Sequence, residues 1–215
     1  MSMAATPIGK LPKERLQKDL AKYKKMALEL GATDAKAIRA DSIVVDERVL
    51  AKCMYPKCNS YGTNASCPPY AMPPDMTRTI VKKFRYGMLI KIEVPANEIA
   101  GADAKDSALH LPYVKKISEI VAKIEAQAFY DGYYLALAFS ASNCKSIFCP
   151  DEDCQALEEG KPCRHPEQSR SSMEAVGIDV YMTATRVGWD VYPIGRQTSP
   201  EEIPYGLRMG LVLIT

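Results

Sequence analysis

The seven cysteines of this chain fall into two groups. The first group contains Cys53, Cys58 and Cys67, and the second contains Cys144, Cys149, Cys154 and Cys163. The x4 and x8 spacing of the first group recurs from Cys149 to Cys163, and Cys144 lies five residues ahead of that repeat. Proline follows soon after the last thiol of each group, and it restrains a loop that would otherwise lose more entropy on closing around an ion. Repeated thiols on restrained loops predict metal binding, with all seven cysteines as ligands.

Disulfide bonding and core filling are both disfavoured as roles for the thiols. Disulfide bonds are disfavoured because seven is an odd number and residues 1–7 lack the charged and apolar regions of a secretion signal. Core filling is disfavoured because the neighbours of the cysteines are Pro, Asn, Ser, Lys and Asp rather than apolar residues. Structural zinc remains an alternative, since four thiolates satisfy it. Gaps of four and eight residues are wider than the close pairs typical of zinc sites, and they favour an iron–sulfur cubane.

The division into three and four thiols predicts two sites of different character. The second group has enough thiolates to hold a [4Fe–4S] cubane, whereas a cubane on the first group would keep one iron without a thiolate. That iron would be open to solvent, to a substrate or to a borrowed oxygen donor such as Asn59 or Asp75. Alternatively, Cys144 completes the first site across space and leaves the second group with three thiols. The expected cofactor is therefore one or two [4Fe–4S] clusters, with zinc as the alternative.

Other ionisable residues close to the thiols have two interpretations. Basic side chains in or beside the second group either offset the negative charge of a cluster or are solvated loop charges; they are Lys145, Lys161, Arg164 and Arg170. His165 is either a ligand or a surface residue, and His110 is interpreted as an ordinary polar residue ahead of a helix.

The elements that must position these loops alternate between helices and strands. Helices are predicted over about 12–30, from Asp75, from Pro112 to Gly132, after a cap at Ser171 or Ser172, and after a cap at Asp179. Strands are predicted at 34–39, 42–45, 87–94, 133–139 and 210–214. These elements predict an α/β fold, with layered helices on a mixed sheet of about four or five strands. We expect a single domain over 1–215, with cysteine-rich metal-binding loops at about 53–74 and 140–170 that meet at one edge of the sheet.

Composition disfavours several other classes of protein. The chain has 215 residues, of which 47% are hydrophobic, and this is enough to bury an ordinary core without metal. Its net charge of +2 comes from intermixed acidic and basic residues, so no nucleic acid partner is indicated. The apolar runs are shorter than the roughly 20 residues of a spanning helix, and no glycine-rich phosphate loop is present. A cytoplasmic protein that does not enter a membrane is expected.

Four segments resemble the signature of a known family of predicted cysteine-rich metal-binding proteins, a domain of unknown function common in anaerobic bacteria and archaea. They are Cys58-Asn59-Ser60-Tyr61-Gly62, Cys67-Pro68-Pro69, Cys163-Arg164-His165-Pro166 and the stretch from Ser172 to Val180. The resemblance extends from about Leu30 onward. It implies cysteine-dependent metal binding, with iron–sulfur clusters favoured, and it leaves the reaction open.

These observations favour an iron–sulfur protein of the anaerobic cytoplasm that exchanges electrons with a redox protein partner. One alternative is an interaction module whose loops are held by structural zinc. The other is an enzyme or sensor that binds a ligand at the open iron of a three-cysteine cluster. Whether the chain is an enzyme is therefore left open by its sequence.

Overall fold

The computed structural model describes residues 14–101, 107–157, 161–195 and 197–215. Its helices are α1 (Arg15–Glu29), α2 (Glu47–Met54), α3 (Pro74–Val81), α4 (Ala96–Ile99), α5 (Ser107–Tyr130), α6 (Cys144–Phe148) and α7 (Val180–Arg186). Its strands are β1 (Asp34–Arg39), β2 (Tyr86–Pro95), β3 (Leu137–Phe139) and β4 (Tyr205–Leu213). Short 3-10 helices lie at Ala40–Ser42, Gln155–Leu157, Glu174–Val176 and Pro200–Glu202. In these ranges no helix combines the length and the apolar character needed to cross a membrane.

The strands form one four-stranded sheet in the order β1-β2-β4-β3. The α/β fold is confirmed, but all three strand pairings are antiparallel, whereas the alternation of elements had favoured a mixed sheet. Parallel neighbours require a crossover between opposite ends of the sheet. Here β1 ends at Arg39, which pairs with Tyr86 at the start of β2. The segment between these two strands therefore begins and finishes at the same end of the sheet.

The two cysteine segments leave the sheet in opposite directions. The first follows β1 and departs from the end of the sheet where β4 finishes, since Leu213 pairs with Gly87. The second follows β3, whose last residue, Phe139, pairs with Leu211 and points the chain away from that end. Contacts other than strand pairing must therefore bring the two segments together.

Both faces of the sheet are buried. Side chains alternate along β2, so that Met88 and Ile90 pack with α1 and α5 while Leu89 packs on the opposite face against the segment that includes α7. Burial of each large aliphatic side chain contributes about 1.5–3 kcal/mol. The seven cysteines all lie in the described ranges and all lie outside the apolar clusters. The core therefore positions the thiols without being built from them.

Local signals predicted some elements well and others poorly. The buried positions of α5 follow the predicted helical spacing, and Asp179 caps α7 by accepting a hydrogen bond from the Met182 N–H at 2.9 Å. The predicted strand at 42–45 is instead a 3-10 turn followed by an isolated bridge between Val45 and Ile178. The predicted strand at 133–139 is shortened to β3, because turn hydrogen bonds such as Ala136 N–H to the Tyr133 carbonyl occupy its first residues.

Two predicted helix starts also shift. Asp75 lies in the first turn of α3, where Pro73 is the N-cap, and Pro112 lies inside α5 rather than in its first turn. These shifts leave the predicted core faces of both helices in place, since Val81 and Ile117 are buried.

Gly210 on β4 tests how closely α5 packs on the sheet. A Cβ atom there would lie 2.6 Å from Val121 Cγ1 and 2.9 Å from Ile117 Cγ2. We expect Gly210→Ala to lower the free energy of unfolding by about 1–3 kcal/mol through overpacking. Gly195→Ala is the control, because no atom lies within 4 Å of the added methyl group. Urea denaturation checks both variants, and equal midpoints would contradict this packing.

Candidate metal centre

A series of turns holds the first cysteine group. Cys53 lies in the last turn of α2, and its carbonyl accepts a hydrogen bond from the Cys58 N–H at 2.9 Å. Gly62 has a φ of 77°, and its N–H donates to the Pro68 carbonyl at 2.8 Å. This bond closes the loop beside Cys67, which is 7% exposed, whereas Cys58 is exposed. The three thiols thus range from open to buried along one short loop.

These three cysteines line a large cavity of about 910 Å³. Its wall also contains Glu174, from the 3-10 helix Glu174–Val176, and Arg208, from β4. A volume of this size lies within the range of roughly 300–1,000 Å³ that is usual for ligand pockets. The first group therefore faces a space that a small molecule can enter.

The second cysteine group begins on α6 and consists of half-buried side chains. Asn143 caps α6 by accepting a hydrogen bond from the Ser146 N–H at 2.8 Å, and Cys144 is the first residue of that helix. Cys144, Cys149, Cys154 and Cys163 all line one small cavity of about 20 Å³. That volume is close to the ~10–15 Å³ that one water molecule requires. The four cysteines that the spacing had grouped thus line one cavity, but no three His, Cys, Asp or Glu side chains of the described residues are close enough together to hold one ion.

The two cysteine segments contact each other directly. The Ala65 N–H donates to Cys154 Sγ at 3.4 Å, and Ser66 Oγ lies 3.4 Å from Ser169 Oγ. Within the second segment, the His165 N–H donates to Cys163 Sγ at 3.3 Å. Donors of this kind favour the charged form of a thiol, and hydrogen bonds to sulfur also adjust the potential of a cluster.

Asn64 is the residue that joins the two groups, and sequence reasoning missed it. It is fully buried, accepts a hydrogen bond from the Ser66 N–H at 3.1 Å, and lies 3.7 Å from Cys144 Sγ through the same Oδ1 atom. Its side chain also bonds the Cys67 thiol. No signal in the x8 gap distinguishes this asparagine from its polar neighbours, since its role depends on a cysteine 80 residues away.

The oxygen donors named from sequence lie elsewhere. Asn59 is exposed, and Asp75 forms an ion pair with Arg78 at 2.8 Å. The structure therefore supplies Asn64, rather than these two residues, as the buried polar group beside the thiols.

The basic residues of the second group have different roles. Arg164 lines the small cavity, opposes the rise in the pKa of Cys149, and pairs with Glu152 at 2.9 Å. Lys145 also lines that cavity. Arg170 instead pairs with Glu125 of α5 and donates to the Ser169 carbonyl at 2.7 Å, so it holds the end of the loop on the core. Lys161 is exposed.

The two histidines take distinct positions. His165 lines the small cavity and stacks on Phe148 with ring centroids 5.5 Å apart. His110 lies within α5 and lines the large cavity, where its Nδ1 atom is 3.2 Å from Arg208 Nη2. The prediction that His110 lies ahead of a helix is therefore wrong, while its interpretation as an ordinary polar residue stays untested.

Burial keeps several of the thiols protonated. It raises the pKa of Cys67 to about 11, and it also raises the pKa of Cys53 and of Cys149. Neighbouring thiols add to each of these shifts by charge repulsion. A bound metal cation would oppose both effects, because nearby positive charge lowers the pKa of a thiol. Thiolates are also the donors that soft metals and iron–sulfur clusters select. The donor set thus fits such a group, although no three metal-binding side chains of the described residues already converge on one ion position.

Glu174 and Arg208 place opposite charges in the large cavity, and neither was named from sequence. The Glu174 side chain is accessible because it faces the cavity. The protein around that cavity nevertheless buries the carboxyl group and raises its pKa. Burial lowers the pKa of Arg208, and the negative charge of Glu174 opposes this shift. A single charge within the apolar strand β4 was the sequence signal that would have drawn attention to Arg208.

A family model described as "Predicted metal-binding protein (DUF2284)" matches residues 36–214. No curated protein matches the chain. No solved structure matches it either.

The contrast between Cys58 and Cys67 is testable in reduced, metal-free protein. At pH 8 a thiol with a pKa of about 11 is only about one-thousandth ionised, and the thiolate is the reactive form. We expect iodoacetamide to modify Cys58 first and Cys67 much later, with the rate at Cys67 rising about tenfold per pH unit. Peptide mass spectrometry over a time course measures both rates. Equal rates at pH 8 would contradict the burial of Cys67.

Proposed function

Because the chain belongs to this family of predicted metal-binding proteins, we propose that its seven cysteines bind iron–sulfur clusters and that it exchanges electrons with a redox protein partner. The observation that supports this most directly is that four cysteines line one cavity and that two of their sulfur atoms accept hydrogen bonds from backbone N–H groups. Zinc needs only the thiolates, whereas hydrogen bonds to sulfur help to set the potential of a redox centre.

In this proposal the four-thiol site is the electron-transfer site. A cluster bound there supplies the one-electron chemistry. Cys144, Cys149, Cys154 and Cys163 would hold it, while Arg164 offsets negative charge near Cys149. The described parts of this loop, residues 149–157 and 161–163, contain the short 3-10 helix Gln155–Leu157 and no other helix or strand, which favours widening around a group larger than 20 Å³.

A second candidate function is supported by the large cavity. An enzyme or sensor needs room for a ligand beside its metal, and Cys53, Cys58 and Cys67 line a space of about 910 Å³. A cubane on three thiols would keep one iron open to that space. The two functions are compatible, since one site is closed and the other open.

The small volume of the four-thiol cavity favours the zinc alternative, because about 20 Å³ suits a single ion. In that case the loops form an interaction module without redox chemistry. Zinc is d10 and colourless, so absorption in the visible separates it from a cluster.

Metal and sulfide analysis of anaerobically prepared protein is the primary test. We expect a brown protein with iron and acid-labile sulfide in near-equal amounts, about four to eight of each per chain for one or two cubanes. A colourless protein that contains stoichiometric zinc after reconstitution would rule out the proposal and favour the interaction module.

Serine variants test which thiols share a site. We expect Cys154→Ser and Cys144→Ser each to lose one cluster and to retain a cyanide-responsive paramagnetic signal from the other, because both side chains line the small cavity. Cys58→Ser is the reciprocal control, which should lose the responsive signal alone. Circular dichroism should remain native in all three, since the thiols lie outside the apolar clusters.

If Cys144→Ser abolishes the cyanide-responsive signal, Cys144 belongs to the first site and the division into four and three thiols is wrong. Global unfolding of the variants would instead show that the metal is structural.

A further inference from the structure

Arg208, which lines the large cavity, has a buried donor that no described protein group satisfies. In the part of the chain that the structure describes, the buried side-chain nitrogen or oxygen without a hydrogen-bond partner is Arg208 Nε. Leaving a buried donor unsatisfied costs about 1–3 kcal/mol, and more when the group is charged. Arg208 also lines the cavity wall, so its guanidinium is placed to bind an acceptor that enters the cavity.

We propose that Arg208 binds the carboxylate of a small organic monoanion in the large cavity, beside Cys53, Cys58 and Cys67. That this anion is a substrate or signal for the three-thiol site rests on the proposed function. The binding itself depends only on the cavity and on Arg208.

Close packing on β4 surrounds this side chain. Alternate residues of a strand share a face, so Arg208 lies on the same side of β4 as Gly206 and Gly210. A Cβ atom at Gly206 would lie 2.5 Å from Ile99 Cδ1 and 3.1 Å from Ile194 Cδ1, two side chains that also line the cavity. The absence of side chains at Gly206 and Gly210 therefore lets Ile99 and Val121 pack closely on β4 on either side of Arg208.

The chemistry of the site favours a carboxylate. The guanidinium Nε–H and Nη–H donors form a planar fork that matches the two oxygens of a carboxylate, and arginine keeps its charge at any physiological pH. The Nη2 atom is 3.2 Å from His110 Nδ1, which holds the fork in place without using Nε.

The composition of the wall favours an organic body and a single negative charge. Most of the lining around Arg208 is apolar or aromatic, including Ile99, Leu111, Val114, Val191, Tyr192 and Ile194. Among the described lining residues Arg208 is the single Lys or Arg, and Glu174 is the single Asp or Glu. One cation near one carboxyl group favours a monoanion with an apolar body over a dianion such as phosphate.

Calorimetric titration of the full chain with benzoate, benzamide and inorganic phosphate tests this inference. Benzamide has nearly the same shape as benzoate but no charge. We expect benzoate to bind at least tenfold more tightly than either benzamide or phosphate. Arg208→Gln should remove this preference, so that benzoate and benzamide bind equally weakly. Arg39→Gln is the matched control, because Arg39 lies on β1, is exposed, and pairs with Asp41; it should leave benzoate binding unchanged.

A second variant tests the cavity without altering Arg208. Leu111 is 38% exposed on α5 and lines the cavity, so Leu111→Trp should narrow it while the fold persists. We expect benzoate binding to weaken at least tenfold. This comparison and the wild-type comparison of benzoate with benzamide remain decisive even if Arg208→Gln fails to fold.

The inference is overturned if wild-type protein binds benzoate no better than benzamide or phosphate, or if Leu111→Trp leaves benzoate binding intact. Iron and sulfide are measured on the same samples. Iron-loaded protein that shows no preference for benzoate overturns the anion site alone. Protein without iron that binds benzoate through Arg208 supports the anion site and refutes the iron–sulfur proposal.

Discussion

The hydrogen bonds of residues 171–179 are the constraint on which both cysteine groups depend. This segment pairs with the entry to the second group, since the Ser140 N–H donates to the Ser171 carbonyl at 2.8 Å. It also pairs with the entry to the first group, since the Asp179 N–H donates to the Val44 carbonyl at 2.8 Å and the Asp46 N–H donates to the Gly177 carbonyl at 2.9 Å. Two chains that leave the sheet in opposite directions are thereby directed toward each other.

The same segment connects the site to the core. Met173 and Ile178 are fully buried against one face of the sheet, while Glu174 between them faces the large cavity. Gly177 allows the sharp reversal with a φ of 81°, where a Cβ atom would lie 2.8 Å from Pro74 Cγ. The packing of Met173 and Ile178 therefore determines where the Glu174 carboxyl group lies.

The two candidate sites have different environments, and these environments suit different tasks. Four half-buried cysteines line a cavity of about 20 Å³, which has room for an ion but not for a larger ligand. Three thiols on a cavity of about 910 Å³, with Arg208 and Glu174 in its wall, suit the binding of a ligand. Asn64 bonds the thiols of Cys67 and Cys144, so the open and closed sites share one buried amide.

The sequence by itself determined the structural features that depend on residues close together along the chain. The strands β1 and β2, the buried face of α5 and the cap at Asp179 follow from side-chain periodicity and from hydrogen bonds that span a few residues. The repeated spacing likewise divides the seven cysteines into two groups, and their role as metal ligands stays a prediction. Only the tertiary structure decided the antiparallel pairing, the loss of the strand at 42–45, and the roles of Asn64 and Arg208. These features depend on contacts between distant parts of the chain, such as Ala65 with Cys154 across 89 residues, which no local pattern encodes.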